Sequence, residues 1–153
     1  MNTVQEIIDH AENSCKTRGS KLTSKRKCVL SALLQSNKAM SAYELVDYCK
    51  QVYDKTLPPM SVYRILDFLQ EEHLAHKLNM ANKYIACSHI TCSHGHGVPQ
   101  FLICNNCQQV KEISVNESTI DTLKHDIEQA GFQMASPRLE INCLCGPCSD
   151  KAS

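Results

Sequence analysis

Apolar residues recur at helical spacing through the first half of the chain, and in short alternating runs through the second. Val4, Ile7, Ile8, Ala11 and Cys15 fall on one face of a 3.6-residue repeat and predict a first helix. Thr23 or Ser24 caps a second, which carries Cys28, Val29, Ala32 and Leu33. Ser41 and Glu44 form an S-x-x-E capping box that opens a third, with Leu45, Val46 and Cys49. Pro58-Pro59 breaks the chain, and Met60 to Leu69 follows as a fourth helix with Val62, Ile65, Leu66 and Leu69 inward. The runs LAHKL (74–78) and KYIAC (83–87), joined by NMAN, predict a β-hairpin.

Beyond the hairpin the pattern changes. FLIC (101–104) and VKEISV (110–115) read as strands flanking a Cys-x-x-Cys turn. Residues 117–130 read as a helix with Ile120, Leu123, Ile127 and Ala130 inward and Gly131 as its stop. RLEINCL (138–144) reads as a third strand running into a second Cys pair. Helices followed by a hairpin describe a winged helix-turn-helix, and the second half describes an α/β unit. The boundary falls near residues 80–90. In a winged helix-turn-helix the second helix of the pair enters the major groove, and Ser61, Tyr63, Arg64 and Asp67 lie away from its apolar stripe. Arg64 can bond a guanine or a phosphate, and Tyr63 a phosphate or a thymine methyl. A small helical bundle with a solvated face is the alternative.

Composition narrows this picture. The 153 residues are 42% hydrophobic with no net formal charge, which excludes a disordered chain. Zero net charge also argues against a purely electrostatic nucleic-acid binder, but the charge is uneven. Residues 1–78 carry 11 basic and 9 acidic side chains; residues 79–153 carry 5 and 7. Lys16, Arg18, Lys21, Lys25, Arg26 and Lys27 form a run without one acid, suited to a phosphate backbone or to plain solvation. The N-terminus lacks the apolar core of a secretory signal, and apolar runs stop at four residues, so a cytoplasmic chain with no membrane partner is expected. There thiols stay reduced, and ten of them, several in tight pairs, point to metal.

Cys104-Asn-Asn-Cys107 and Cys145-Gly-Pro-Cys148 are the sharpest feature. Each pair lets two sulfurs reach one ion, and two pairs complete a tetrahedral zinc site. A redox Cys-x-x-Cys is the competing reading, and with it a thiol-disulfide oxidoreductase using Cys145 and Cys148. A looser cluster comprises His76, Cys87, His89, Cys92, His94, His96 and Glu112. It spans the wing, the connecting segment and a strand of the second half, so metal there acts as a switch. Mixed N, S and O donors suit zinc, whereas His and carboxylate alone better suit Fe(II) or Mn(II). Surface histidines without a metal are the alternative. His10 and His125 read as helix-surface residues, and Cys15, Cys28 and Cys49 as small core hydrophobes.

SVYRILDFLQEEHLAHKL (61–78) and FLICNNCQQVKEI (101–113), in this order around a His-rich connection, resemble the ferric uptake regulator superfamily. PPMSVYRILDFL, SAYELVD (41–47), and Cys87 eleven residues after His76 resemble its zinc uptake regulator branch. The resemblance spans about residues 3–148. It implies an α+β fold: a winged-helix DNA-binding domain (1–87), a His-rich linker (88–100) and a small α/β dimerisation domain (101–153). It implies a non-enzymatic repressor of zinc-uptake genes, which binds palindromic double-stranded operators as a zinc-loaded homodimer. Two zinc ions per monomer follow. Cys104, Cys107, Cys145 and Cys148 would hold the structural one. His76, Cys87, Glu112 and one linker histidine would hold the regulatory one. The linker HITCSHGHGVPQ departs from the family by an insertion; His96 needs the smaller gap before Cys104, with His94 and His89 as alternates. Cys92 and Cys143 are extra. The family's DNA contacts would fall on Tyr43 and Arg64, supported by Ser61, Tyr63 and Arg26. An Fe(II)- or peroxide-sensing regulator is the sister reading, which Cys87 opposes.

Overall fold

A computed structural model describes residues 3–36, 38–79, 82–91 and 98–152. The chain forms two compact units, Met1–Cys92 and Ser93–Ser153. Four helices and a hairpin make the first: α1 (Val4–Thr17), α2 (Ser24–Gln35), α3 (Ala42–Tyr53), α4 (Pro59–Glu71), β1 (Ala75–Leu78) and β2 (Lys83–Ala86). Their starts are fixed locally. Thr3 and Glu6 close a capping box on α1, Thr23 caps α2, and Ser41 and Glu44 close the expected box on α3. Pro58 offers no side-chain cap to α4, but Pro59 at its first position presets the helical φ and lacks only an N–H that would be orphaned anyway.

One cluster joins the helices. Ile8, Ala11, Cys15, Val29, Leu30, Leu45, Cys49, Val62, Leu66 and Leu69 are all buried in it. Each fully buried aliphatic side chain contributes about 1.5–3 kcal/mol. The hairpin is pinned to this bundle through Tyr84. Its backbone exchanges two hydrogen bonds with Met40, of 2.8 and 3.0 Å, and its ring is buried in the same cluster. Lys83 pairs with Glu44 of the α3 cap at 3.3 Å. The wing is therefore held at the entry to α3 and has a fixed place in the domain.

The second unit contains β3 (Val98–Cys104), β4 (Val110–Val115), α5 (Glu117–Gln129), β5 (Glu140–Cys143) and α6 (Gly146–Ala152). Its strand order is β4-β3-β5, with β4 antiparallel and β5 parallel to the central strand. A parallel neighbour needs a crossover, and α5 supplies it. Gly131, at φ +86°, ends α5 as expected: its amide reaches Glu128 O and the Phe132 amide reaches Ile127 O, a Schellman pair. The expected inner face of α5 is narrower than its sequence pattern. Ile120 is buried, Leu123 and Ile127 are partly buried, and Ala130, the C-cap residue, is exposed because the helix has already ended there. Phe101, fully buried on β3, anchors the small core with Ile103 and Ile120.

Ile90, beyond the hairpin, packs against the cluster of the first unit, and β3 begins at Val98, three residues before the FLIC run. Residues 92–97 lie between these points, outside the described residues, and with them Cys92, His94 and His96. Helix α6 has no apolar periodicity of its own; it begins one residue after Cys145 and carries Cys148.

Candidate metal centre and nucleic-acid interface

The four-cysteine set is assembled by the sheet. Parallel register places Cys104 beside Cys143, so the chain leaving β5 delivers Cys145 to the end of β3. The Cys145 amide donates to Cys104 Sγ at 3.4 Å, and Asn106 Nδ2 donates to Cys148 Sγ at 3.3 Å. The first pair is carried on a tight turn in which Gln108 N bonds Cys104 O, with Gln108 in the left-handed region at φ +65°. One sulfur from each of Cys104, Cys107, Cys145 and Cys148 lies within 4.8 Å of the others. A tetrahedron with Zn–S bonds of about 2.3 Å has sulfurs about 3.8 Å apart. Cys107 Sγ and Cys145 Sγ are separated by 3.7 Å. The donor set fits zinc.

Electrostatics in the cluster agree with a cation site. The amide of Cys107, then that of Cys145, draws the Cys104 thiol down to about 6. At Cys145 the Cys148 amide pulls the same way, but the Cys148 sulfur, burial and the Cys107 and Cys104 sulfurs outweigh it and hold the thiol at about 12. One thiolate forms readily there; four need a metal ion to share their charge. Cys143, the register partner of Cys104, is partly buried, and its sulfur stands outside the quartet among the described residues.

The wing builds a second pair of donors. His76 lies on β1 opposite Ile85, and the Cys87 amide bonds Leu74 O at 2.9 Å, which extends the ladder by one step. Cys87 therefore opposes Leu74, two residues from His76, and both side chains project from the same face as diagonal neighbours. A His76 ring nitrogen and Cys87 Sγ come within 4.8 Å of each other. The His89 amide donates to Cys87 Sγ at 3.4 Å, so this residue supports the sulfur through its backbone. Glu112 is partly buried on β4 of the second unit, opposite Phe101.

The residues expected at DNA separate by engagement. Tyr43, second residue of α3, is 63% exposed, and Arg64 is exposed on α4. Ser61 and Tyr63 are partly buried, with Tyr63 packed against the core. Arg26 is the most occupied. Its Nη1 donates to Lys21 O at 2.6 Å, and its guanidinium lies 3.7 Å from the centre of the Phe68 ring. The basic run is likewise partly engaged. Arg18 pairs with Glu72 at 3.3 Å and Lys27 with Glu12 at 2.9 Å, while Lys16, Lys21 and Lys25 are exposed. Met60, 64% exposed on α4, was not among the residues the sequence placed at DNA. The signal for it was present: it lies opposite the Val62–Leu66–Leu69 stripe.

No helix among the described residues is long and apolar enough to cross a membrane. The sequence model of the ferric uptake regulator family matches residues 17–142. The zinc uptake regulation protein of Escherichia coli strain K12 is 34% identical over 146 residues, covering 95% of this chain and 83% of the relative. A zinc uptake regulator complexed with zinc and DNA superposes with a TM-score of 0.81 at 30% identity, covering 99% of both chains. The crystal structure of holo XcZur gives a TM-score of 0.77 at 30% identity, covering 97% of this chain and 99% of that one.

Proposed function

The chain belongs to the ferric uptake regulator family, and we propose that it is a zinc-responsive transcriptional repressor acting as a homodimer on palindromic operators of zinc-uptake genes. The observation that carries this reading is the His76–Cys87 pair on the wing of a winged helix-turn-helix. An imidazole nitrogen and a cysteine sulfur within 4.8 Å of one another, on a hairpin pinned to the DNA-binding bundle, suit zinc above Fe(II). Likeness to a zinc uptake regulator complexed with zinc and DNA supports the same assignment. Members of this family are transcription regulators, not enzymes, and four converging sulfurs suit a structural metal better than a redox pair.

In this reading each monomer takes two zinc ions in the cytoplasm, where thiols remain reduced. Cys104, Cys107, Cys145 and Cys148 hold the first, which supplies cross-linking to a unit whose own core is small. His76, Cys87, Glu112 and one linker histidine hold the second; His96 is the favoured fourth ligand, with His94 and His89 as alternates. Ligands drawn from both halves of the chain make zinc favour the conformers that bring them together, and operator affinity rises by that difference. Tyr43 and Arg64 make the principal DNA contacts. Ser61, Tyr63 and Arg26 flank them. Dimer symmetry gives an operator of two related half-sites.

Operator binding measured against buffered free zinc and free Fe(II) tests the proposal. Zinc-dependent binding at lower free metal than Fe(II) requires is the expected result. Tight binding indifferent to zinc overturns it, and a preference for Fe(II) transfers the chain to the iron-sensing reading.

A further inference from the structure

The outer face of α4 carries a residue without a role in the DNA reading so far. Val62, Ile65, Leu66 and Leu69 point inward and are 7% exposed or less. At 100° per residue the opposite stripe is Met60, Arg64 and Asp67. Arg64 and Asp67 are ordinary solvated residues on such a stripe; Met60 is not. It is 64% exposed, more than Tyr43 at 63%, and it stands second in the helix, directly after Pro59. Ser61 and Tyr63 lie on the flanks of the stripe and are partly buried. The exposed side chains in the first two turns of α4 are therefore one thioether and, one turn later, one guanidinium.

The first turns of a recognition helix meet base edges in the major groove. The one apolar group presented there is the thymine 5-methyl. A Met side chain is unbranched and polarisable, so it can adapt to a methyl group whose position the backbone does not fix. Four residues of helix rise about 6 Å, close to two base-pair steps. Resting on the DNA-binding reading above, we propose that Met60 is a specificity-determining residue. It packs on a thymine methyl within about two or three base pairs of the position that Arg64 contacts. Arg64 selects by hydrogen bonding, and Met60 selects by shape and apolar contact one turn away.

Thymine-to-deoxyuridine exchange isolates the contact, because it deletes the methyl and leaves base pairing intact. The zinc-loaded full-length chain first selects its site from a random duplex library. Each thymine of the half-site is then replaced in turn, symmetrically in both halves. One position is expected at which the wild-type chain loses about fourfold in affinity per half-site, the effect of one lost methyl contact. Met60→Ala should be insensitive to the exchange at that position, and Met60→Leu should regain sensitivity. Exposure of Met60 keeps these variants folded, which circular dichroism verifies. If wild type and Met60→Ala respond alike at every thymine, this inference falls while zinc-dependent operator binding stands. If the zinc-loaded chain selects no sequence at all, both the inference and the repressor reading fall.

Discussion

Cys104 and Cys143 are register partners in the parallel β3–β5 ladder, yet it is Cys145, two residues farther on, whose amide bonds the Cys104 sulfur at 3.4 Å. The ladder thus delivers the second Cys pair while leaving the nearer thiol outside the quartet. Cys145→Ser and Cys143→Ser should separate cleanly. The first should remove the structural zinc and cost several of the roughly 10–16 kcal/mol that such a site contributes. The second should leave metal content unchanged and cost only about 1 kcal/mol, as an ordinary substitution at a partly buried position does. Elemental analysis with thermal unfolding distinguishes them; equal zinc loss in both variants would put Cys143 among the ligands.

Cys87→Ser and His76→Ala address the wing. Each variant should keep one chelator-resistant zinc per monomer and an unchanged fold. The free zinc needed for operator binding should rise by more than the roughly 10–100-fold lost when a ligand's own hydrogen-bond partner is removed. Zinc-buffered binding isotherms read this directly. Loss of folding in either variant would mean that the structural and regulatory roles are interchanged.

Arg64 and Arg26 should part company. Arg64 is exposed, so Arg64→Ala is expected to lower DNA affinity by about 1–3 kcal/mol with little change in melting temperature. Arg26 bonds Lys21 O and stacks on Phe68, tying the start of α2 to α4. Arg26→Ala should therefore cost stability, about 0.5–2 kcal/mol from the lost stacking, and lower DNA affinity less than Arg64→Ala does because Arg26 only flanks the contact. Paired melting and binding measurements would expose a reversal of these two effects.

Glu44 gives a pH signature. Burial raises its carboxyl, but the bonds from Lys83 and Ser41 outweigh this and hold it below the ordinary 4.5. The fold thus favours the charged form. That stabilisation is fully present above about pH 4.5 and is lost as pH falls through the lower folded value. Glu44→Gln keeps a capping-box residue and loses only the ion pair with Lys83. The Glu44 side chain is half exposed, so the difference from wild type should be about 0.2–1 kcal/mol at neutral pH and shrink on acidification. A difference that grows on acidification would contradict the assignment.

Thiol labelling separates core from surface cysteines. Burial pushes Cys49 up to about 12, beside Cys28, and raises Cys15 as well. Both should resist alkylation at neutral pH until the chain unfolds, since the thiolate is the nucleophile. Mass spectrometry of the natively labelled protein reads this; rapid modification of Cys49 would show that the bundle opens locally.

Local signals were sufficient for much of this protein. Capping residues at Thr23, Ser41 and Glu44, the Pro58-Pro59 break and the Gly131 stop each act within a few residues of chain, so helix positions were legible from sequence. The two Cys-x-x-Cys pairs were legible for the same reason, because two residues of spacing fix what each turn can hold. Tertiary structure decided the rest. Parallel register, not spacing, separates Cys145 from Cys143. Hairpin register sets His76 and Cys87 on one face. Packing against Phe68 draws Arg26 inward, and burial of the Val62–Leu66–Leu69 stripe leaves Met60 exposed. These outcomes depend on contacts between residues far apart in the chain, and the short-range periodicity that reveals a helix or a strand carries no record of which neighbour it will meet.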